Sequence, residues 1–118
     1  MGKRVFIIDD DKELCEELCE TLKAEGFACD FAFYPSEAKE ALLRNTYDIL
    51  ILDYKMPETD GITFLREIKE EARGLKIFII SGSLAIENLV AENGLSESVA
   101  GILNKPFDIE KLLAELKR

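Results

Sequence analysis

The residues able to do chemistry in this chain stand directly after apolar runs. Asp9, Asp10 and Asp11 follow the run at 5–8. Asp53 closes the run at 49–52, within the stretch LDYKMPETDG. Ser81, Gly82 and Ser83 follow the run at 77–80, and Asn104-Lys105-Pro106 follows a short apolar stretch ending at Leu103. Several carboxylates held together repel one another, so such a set must bind a cation or hold a proton. Carboxylate oxygens with room for water suit a hard ion such as Mg2+. A lysine opposite them binds an anion as a point charge, and a hydroxyl can donate to a phosphoryl oxygen. Together these groups describe a place where one carboxylate attacks a phosphoryl group while a metal and an ammonium neutralise the charge.

Whether they meet depends on the elements that carry them. Residues 3–8 read as a buried strand. Residues 12–25 form an amphipathic helix on the stripe Leu14, Cys15, Leu18, Cys19, Leu22, stopped by Gly26. Residues 27–33 alternate Phe27, Cys29, Phe31 and Phe33 with small or polar residues, a strand pattern. Pro35-Ser36 opens a second helix with Ser36 as its N-cap. Strands are expected at 48–53, 76–81 and 100–104. Helices are expected at 61–73, 85–92 (short and weaker) and 108–117, the last capped by Asp108. Five strand–helix units with nearly all-apolar strands predict an α/β fold, a doubly wound parallel sheet with helices on both faces. Ligands of such sheets bind beyond the carboxyl ends of the strands, where the residues above would collect. Each has a plain reading as well. The three aspartates could be a solvated run that caps a helix, Asp53 a strand terminator, Lys105-Pro106 a turn and Ser81 a loop residue. Their coincidence at the matching ends of four strands favours a site.

Composition narrows the function classes. The chain has 118 residues, 47% hydrophobic and 33% charged, with a net charge of −9. That predicts one domain spanning 1–118, with any output domain absent or cut away. The acidic balance, and the lack of a basic cluster longer than Lys3-Arg4, argue against direct nucleic-acid or anionic-membrane binding. No apolar run approaches a membrane span, and the amino-terminal stretch from Met1 is too short for a signal peptide, so a cytoplasmic location is expected. The chain has no histidine, which removes Ser-His-Asp and Cys-His catalysis and phosphohistidine chemistry within it. Cys15, Cys19 and Cys29 are an odd set, better read as small core residues than as a disulfide or zinc framework.

With these residues in view, the sequence resembles the receiver domain of two-component response regulators. The segments FIIDDDKEL, DILILDYKMPETDGITFLREIK, IFIISGS and ILNKPFDIEKLLAEL carry the resemblance over essentially the whole chain. It implies the flavodoxin-like (βα)5 fold with strand order 2-1-3-4-5. It also implies Asp53 as phosphoacceptor from a partner sensor histidine kinase. Asp10 would be a direct Mg2+ ligand, Asp9 the second acidic residue, and Lys55 a ligand through its backbone carbonyl. Ser81 would be the switch hydroxyl and Lys105 the partner of a phosphoryl oxygen, with a cis peptide before Pro106. No enzyme activity is implied beyond the chain's own phosphorylation and slow autodephosphorylation. Lys55 and Ser83, flanking the acceptor, would tune its lifetime. The kinase would dock near the first helix, on Leu14, Leu18 and the Pro106-Phe107 region, and the downstream partner is a protein of unknown kind.

Two departures from the family pattern stand out. The switch position three before the lysine, usually aromatic, is Ile102, and VAENGLSESVAG replaces a Gly-Ala-rich lead-in, predicting irregularity in the fourth helix and its flanks. Three alternatives remain at this level. The first is a phosphatase of the haloacid-dehalogenase type, with Asp9-x-Asp11 as its D-x-D. The second is a receiver that binds partners without phosphorylation, and the third is a phosphorelay intermediate.

Overall fold

The computed structural model describes residues 2–83 and 85–118; Met1, where the amino-terminal reading began, and Leu84 lie outside the described residues. The elements run β1 (Arg4–Ile8), α1 (Lys12–Ala24), β2 (Ala28–Ala32), α2 (Pro35–Arg44), β3 (Ile49–Asp53), α3 (Gly61–Glu67), β4 (Lys76–Ser81), α4 (Ile86–Glu92), β5 (Gly101–Asn104) and α5 (Ile109–Leu116). All strand pairs are parallel, and the order is β2-β1-β3-β4-β5. This is the doubly wound parallel sheet expected from the alternating pattern, in the flavodoxin-like order that the resemblance implied.

Two apolar layers sandwich the sheet. Leu50, Leu52, Phe6 and Ile79 face α2, α3 and α4 through Ala38, Leu42, Phe64, Leu65 and Val90. Val5, Ile7, Ile49, Ile51 and Phe78 face α1 and α5 through Cys15, Leu18, Leu22, Leu112 and Leu116. A central strand buried on both faces has no polar side, which is why β3 reads as an unbroken apolar run. The three cysteines are free and buried, Cys15 and Cys19 on the α1 stripe and Cys29 on β2.

Helix ends largely follow their signals. Asp11 Oδ1 accepts from Leu14 N at 3.1 Å, Asp60 Oδ1 from Thr63 N at 2.8 Å, and Asp108 Oδ1 from Glu110 N at 2.9 Å. Each cap contributes about 1 kcal/mol. Gly26 takes φ 97° after α1, a conformation a side chain resists. Ser36 is not an N-cap. Proline's fixed φ suits the first helical turn, so α2 begins at Pro35 and the capping position falls to Tyr34, whose side chain makes no capping bond. α3 ends at Glu67 and not near residue 73. Its last turn closes with Ile68 N donating to Phe64 O at 3.0 Å. A turn segment continues instead, with Ala72 N donating to Ile68 O at 2.8 Å. After α4 the chain makes successive turns, with Ser98 N and Val99 N both donating to Leu95 O. The irregularity expected of this region thus falls on the flank after α4, while α4 itself is a regular helix. Among the described residues, no helix is long and apolar enough to cross a membrane.

Candidate metal and phosphoacceptor site

β1, β3, β4 and β5 lie side by side, so their carboxyl ends form one rim. The register pairs Asp53 with Ile80 and Ser81 with Asn104, setting the residues after each strand level with one another. Asp9 leaves β1 anchored on β2, its N–H donating to Ala32 O at 3.2 Å. Asp53 ends β3 with Tyr54 N bonded to Ile80 O at 2.9 Å. Gly61 N closes the following loop onto Tyr54 O at 2.7 Å. Gly61 has a steric role here, since a Cβ would lie 3.1 Å from Tyr54 Cα and 3.3 Å from Asp53 O. Lys105 N donates to Ser81 O at 2.9 Å, and the Lys105-Pro106 peptide is cis, as the resemblance implied.

The side chains converge. Lys105 Nζ stands 3.2 Å from Asp9 Oδ2 and 3.3 Å from Asp53 Oδ2. Asp9 is sealed from solvent and Asp53 nearly so, whereas Asp10 is exposed. Asp9 Oδ1 also accepts from Asp11 N at 3.0 Å. One carboxylate oxygen from each of Asp9, Asp10 and Asp53 lies within 4.8 Å of the others. The cost of burial pushes the Asp9 carboxyl above its ordinary range, more than the Asp11 N–H and Lys105 pull it back. Burial also raises Asp53, reinforced by the charge of Asp9 and opposed by Lys105. Lys105 loses hydration, which alone would lower it, but the two carboxylates together hold it above the usual lysine value. Three carboxylates and one ammonium leave a formal charge of −2 on all-oxygen donors. That donor set fits a hard divalent cation.

The other predicted residues take distinct places. Ser81 is buried one residue beyond the Asp53 register, and its Oγ accepts from Ser83 N at 3.0 Å. Ser83 Oγ accepts in turn from Ala85 N. Lys55 is exposed at the start of the β3–α3 loop, bridged through its backbone to Asp60. Ile102 is half-buried against the α2–α4 layer and lines a cleft of about 260 Å3 with Val90 and Val99. Asp11, which a D-x-D nucleophile pair would need, has its carboxylate on the α1 cap. Two contacts of the site were not read from the sequence. Asp11 N holds Asp9, for which the capping position was the available signal. Cys15 Sγ donates to Asp9 O at 3.3 Å, for which no local signal exists, because the contact is made by the turn between β1 and α1.

A sheet of this order, with an acidic cluster and a lysine beyond the carboxyl ends of β1, β3 and β5, defines a receiver domain. The chain belongs to that family: the model of the response regulator receiver domain matches residues 5–117. It is 31% identical over 117 residues to the response regulator MprA of Mycobacterium ulcerans, covering 99% of this chain and 50% of that protein. It therefore spans about half the length of the curated relatives it matches. Among solved structures, it is similar to the receiver domain of the Francisella response regulator 1452, with TM-score 0.86, 28% identity and coverage of 98% and 94% of the two chains. It is also similar to a response regulator receiver protein from Pseudomonas putida, with TM-score 0.87, 29% identity and coverage of 99% and 97%.

Proposed function

We propose that this receiver domain accepts a phosphoryl group on Asp53 from a phosphohistidine of a sensor histidine kinase, in a Mg2+-dependent reaction in the cytoplasm. The observation that carries the reading is the cluster of Asp9, Asp10 and Asp53, two of which, Asp9 and Asp53, also meet one ammonium, Lys105. Asp9, Asp10, Asp53 and the Lys55 carbonyl would hold the ion, whose charge offsets that of the phosphoryl oxygens. Asp53 Oδ attacks phosphorus in line, an O–P bond forms, and the P–N bond to the donor imidazole breaks with its electron pair returning to nitrogen. Lys105 then neutralises one phosphoryl oxygen and the Ser81 hydroxyl, released from Ser83 N, donates to another. The added charge of about −1.5 to −2 biases the loops after β3 and β4. A partner protein that binds the biased form better supplies the output. Water attack on the acyl phosphate returns the carboxylate and inorganic phosphate, with Lys55 and Ser83 setting its rate. The domain thus acts on itself and has no turnover substrate.

Kinase docking is supported by an apolar groove of about 620 Å3 between α1 and the start of α5. It is lined by Leu14, Leu18, Pro106, Phe107 and Ile109 and reaches Lys105. The test is intact mass after incubation with Mg2+ and a small acyl-phosphate donor. One phosphoryl adduct is expected, lost with EDTA and in Asp53→Ala. No adduct at any Mg2+ concentration or with a kinase donor would leave a receiver that binds partners without phosphorylation. Transfer onward from Asp53 to a second histidine protein would mark a relay intermediate.

A further inference from the structure

Asp9 is engaged at every polar atom. Its N–H donates to Ala32 O at 3.2 Å, Oδ1 accepts from Asp11 N at 3.0 Å, and Oδ2 meets Lys105 Nζ at 3.2 Å. The remaining atom, the peptide carbonyl, faces α1 and accepts from Cys15 Sγ at 3.3 Å. Among the described residues, this is the one hydrogen bond from an α1 side chain to the residue that starts the acidic turn. Cys15 is fully buried in the first turns of α1, and its own N–H is bonded to Asp11 O at 3.1 Å. The segment from Asp9 to Cys15 is thereby closed on itself at both ends.

We infer that Cys15 is a positioning residue for the acidic cluster, its thiol fixing the Asp9 peptide so that the carboxylate is held toward Asp53 and the cation. The inference rests on the cation-dependent phosphoacceptor reading above. Partners that orient a ligand without touching the metal set affinity through geometry. A thiol does this for a buried carbonyl that water cannot reach, and loss of the donor leaves that carbonyl unpaired. The other two thiols provide an internal comparison. Cys19 Sγ donates to Cys29 O at 3.2 Å, within the α1–β2 packing and away from the acidic turn.

The test is Mg2+ binding by calorimetry to the wild type, Cys15→Ala, Cys15→Ser and Cys29→Ala, with thermal unfolding of each. Cys15→Ala is expected to weaken Mg2+ binding about tenfold, the lower end for an orienting partner. Cys15→Ser should recover most of it, and Cys29→Ala should lower the melting temperature with unchanged affinity. An unchanged dissociation constant in a folded Cys15→Ala overturns the inference and leaves the thiol a packing residue. If Cys15→Ala does not fold, the S–H stretch assigned to Cys15 by difference against Cys15→Ser decides: a shift on adding Mg2+ supports the inference, and an unmoved band overturns it. A wild type that neither binds Mg2+ nor takes a phosphoryl group removes the phosphoacceptor reading and this inference together. Normal binding and phosphorylation with an indifferent Cys15 removes this inference alone.

Discussion

Replacing Lys105 with Met should destabilise the apo domain in a pH-dependent way. The ammonium sits 3.2 Å from a carboxylate with no exposure and 3.3 Å from one with 9%, and is itself 32% exposed. Breaking a fully buried pair costs about 3–5 kcal/mol, and an exposed pair is worth at most about 1. Partial exposure of the lysine, and the ability of Asp9 and Asp53 to take up a proton, place the loss at about 2 kcal/mol near pH 7.5. For a chain of this length that is about 8 °C in melting temperature. The sign follows from linkage. Both carboxyls are already raised above 3.8 in the fold, so folded stability falls as pH rises from that value through their folded pKa. Without Lys105 they rise further, and the window of falling stability extends upward. The raised pKa of Lys105 contributes stability at neutral pH that is lost as pH climbs through that folded value. The wild-type-to-variant difference should therefore shrink toward pH 4, as the raised carboxyls take up protons, and be largest near neutrality. Urea unfolding followed by circular dichroism at pH 4 and pH 7.5 measures it, and the loss should shrink by more than half in an Asp53→Asn background. An equal loss at both pH values would refute this reasoning and assign the effect to packing of the lysine stem.

Glu58 takes φ 73° in the β3–α3 loop, so Glu58→Gly should stabilise by about 1 kcal/mol, seen as a higher urea midpoint; no gain would mean the loop is held by contacts that glycine forfeits. Gly61→Ala would press a methyl against Tyr54 Cα and Asp53 O, and denaturant titration should show a loss of about 1–3 kcal/mol. Tyr47 is buried and donates to Asp30 Oδ2 at 2.8 Å, and burial followed by that bond pushes its phenol up to about 12. The folded state keeps this proton longer, so its contribution to stability is lost as pH rises from about 10 toward 12. Tyr47→Phe should cost about 1 kcal/mol at neutral pH and flatten that alkaline slope relative to the wild type; an unchanged slope would contradict the assignment.

What could be read from the sequence was whatever depends on local pattern. Runs such as Ile49–Asp53, apolar on both faces and ended by a carboxylate, indicated central parallel strands and therefore a rim where Asp9, Asp53, Ser81 and Lys105 could meet. The cap at Asp108 was legible because an aspartate before an apolar stripe satisfies the helix's own N–H groups. The helix α2 opens at Pro35 as expected, but its N-cap falls at Tyr34, two residues before Ser36, because Pro35 preorganises the first turn whatever Ser36 offers. The end of α3 differs from its expected place because apolar spacing continues to Ala72, which packs on the core from a turn segment and not from the helix. Residue types and order along the chain thus determined the sheet, its helices and the chemistry collected at one edge. Only the tertiary structure decided which partners each group has. Asp9 is sealed and shared between Lys105 and Asp11, Ser81 is turned to Ser83, and Cys15 reaches the Asp9 carbonyl. Such contacts join positions as far apart as 9 and 105, and burial then sets their charge balance, neither of which any local spacing encodes.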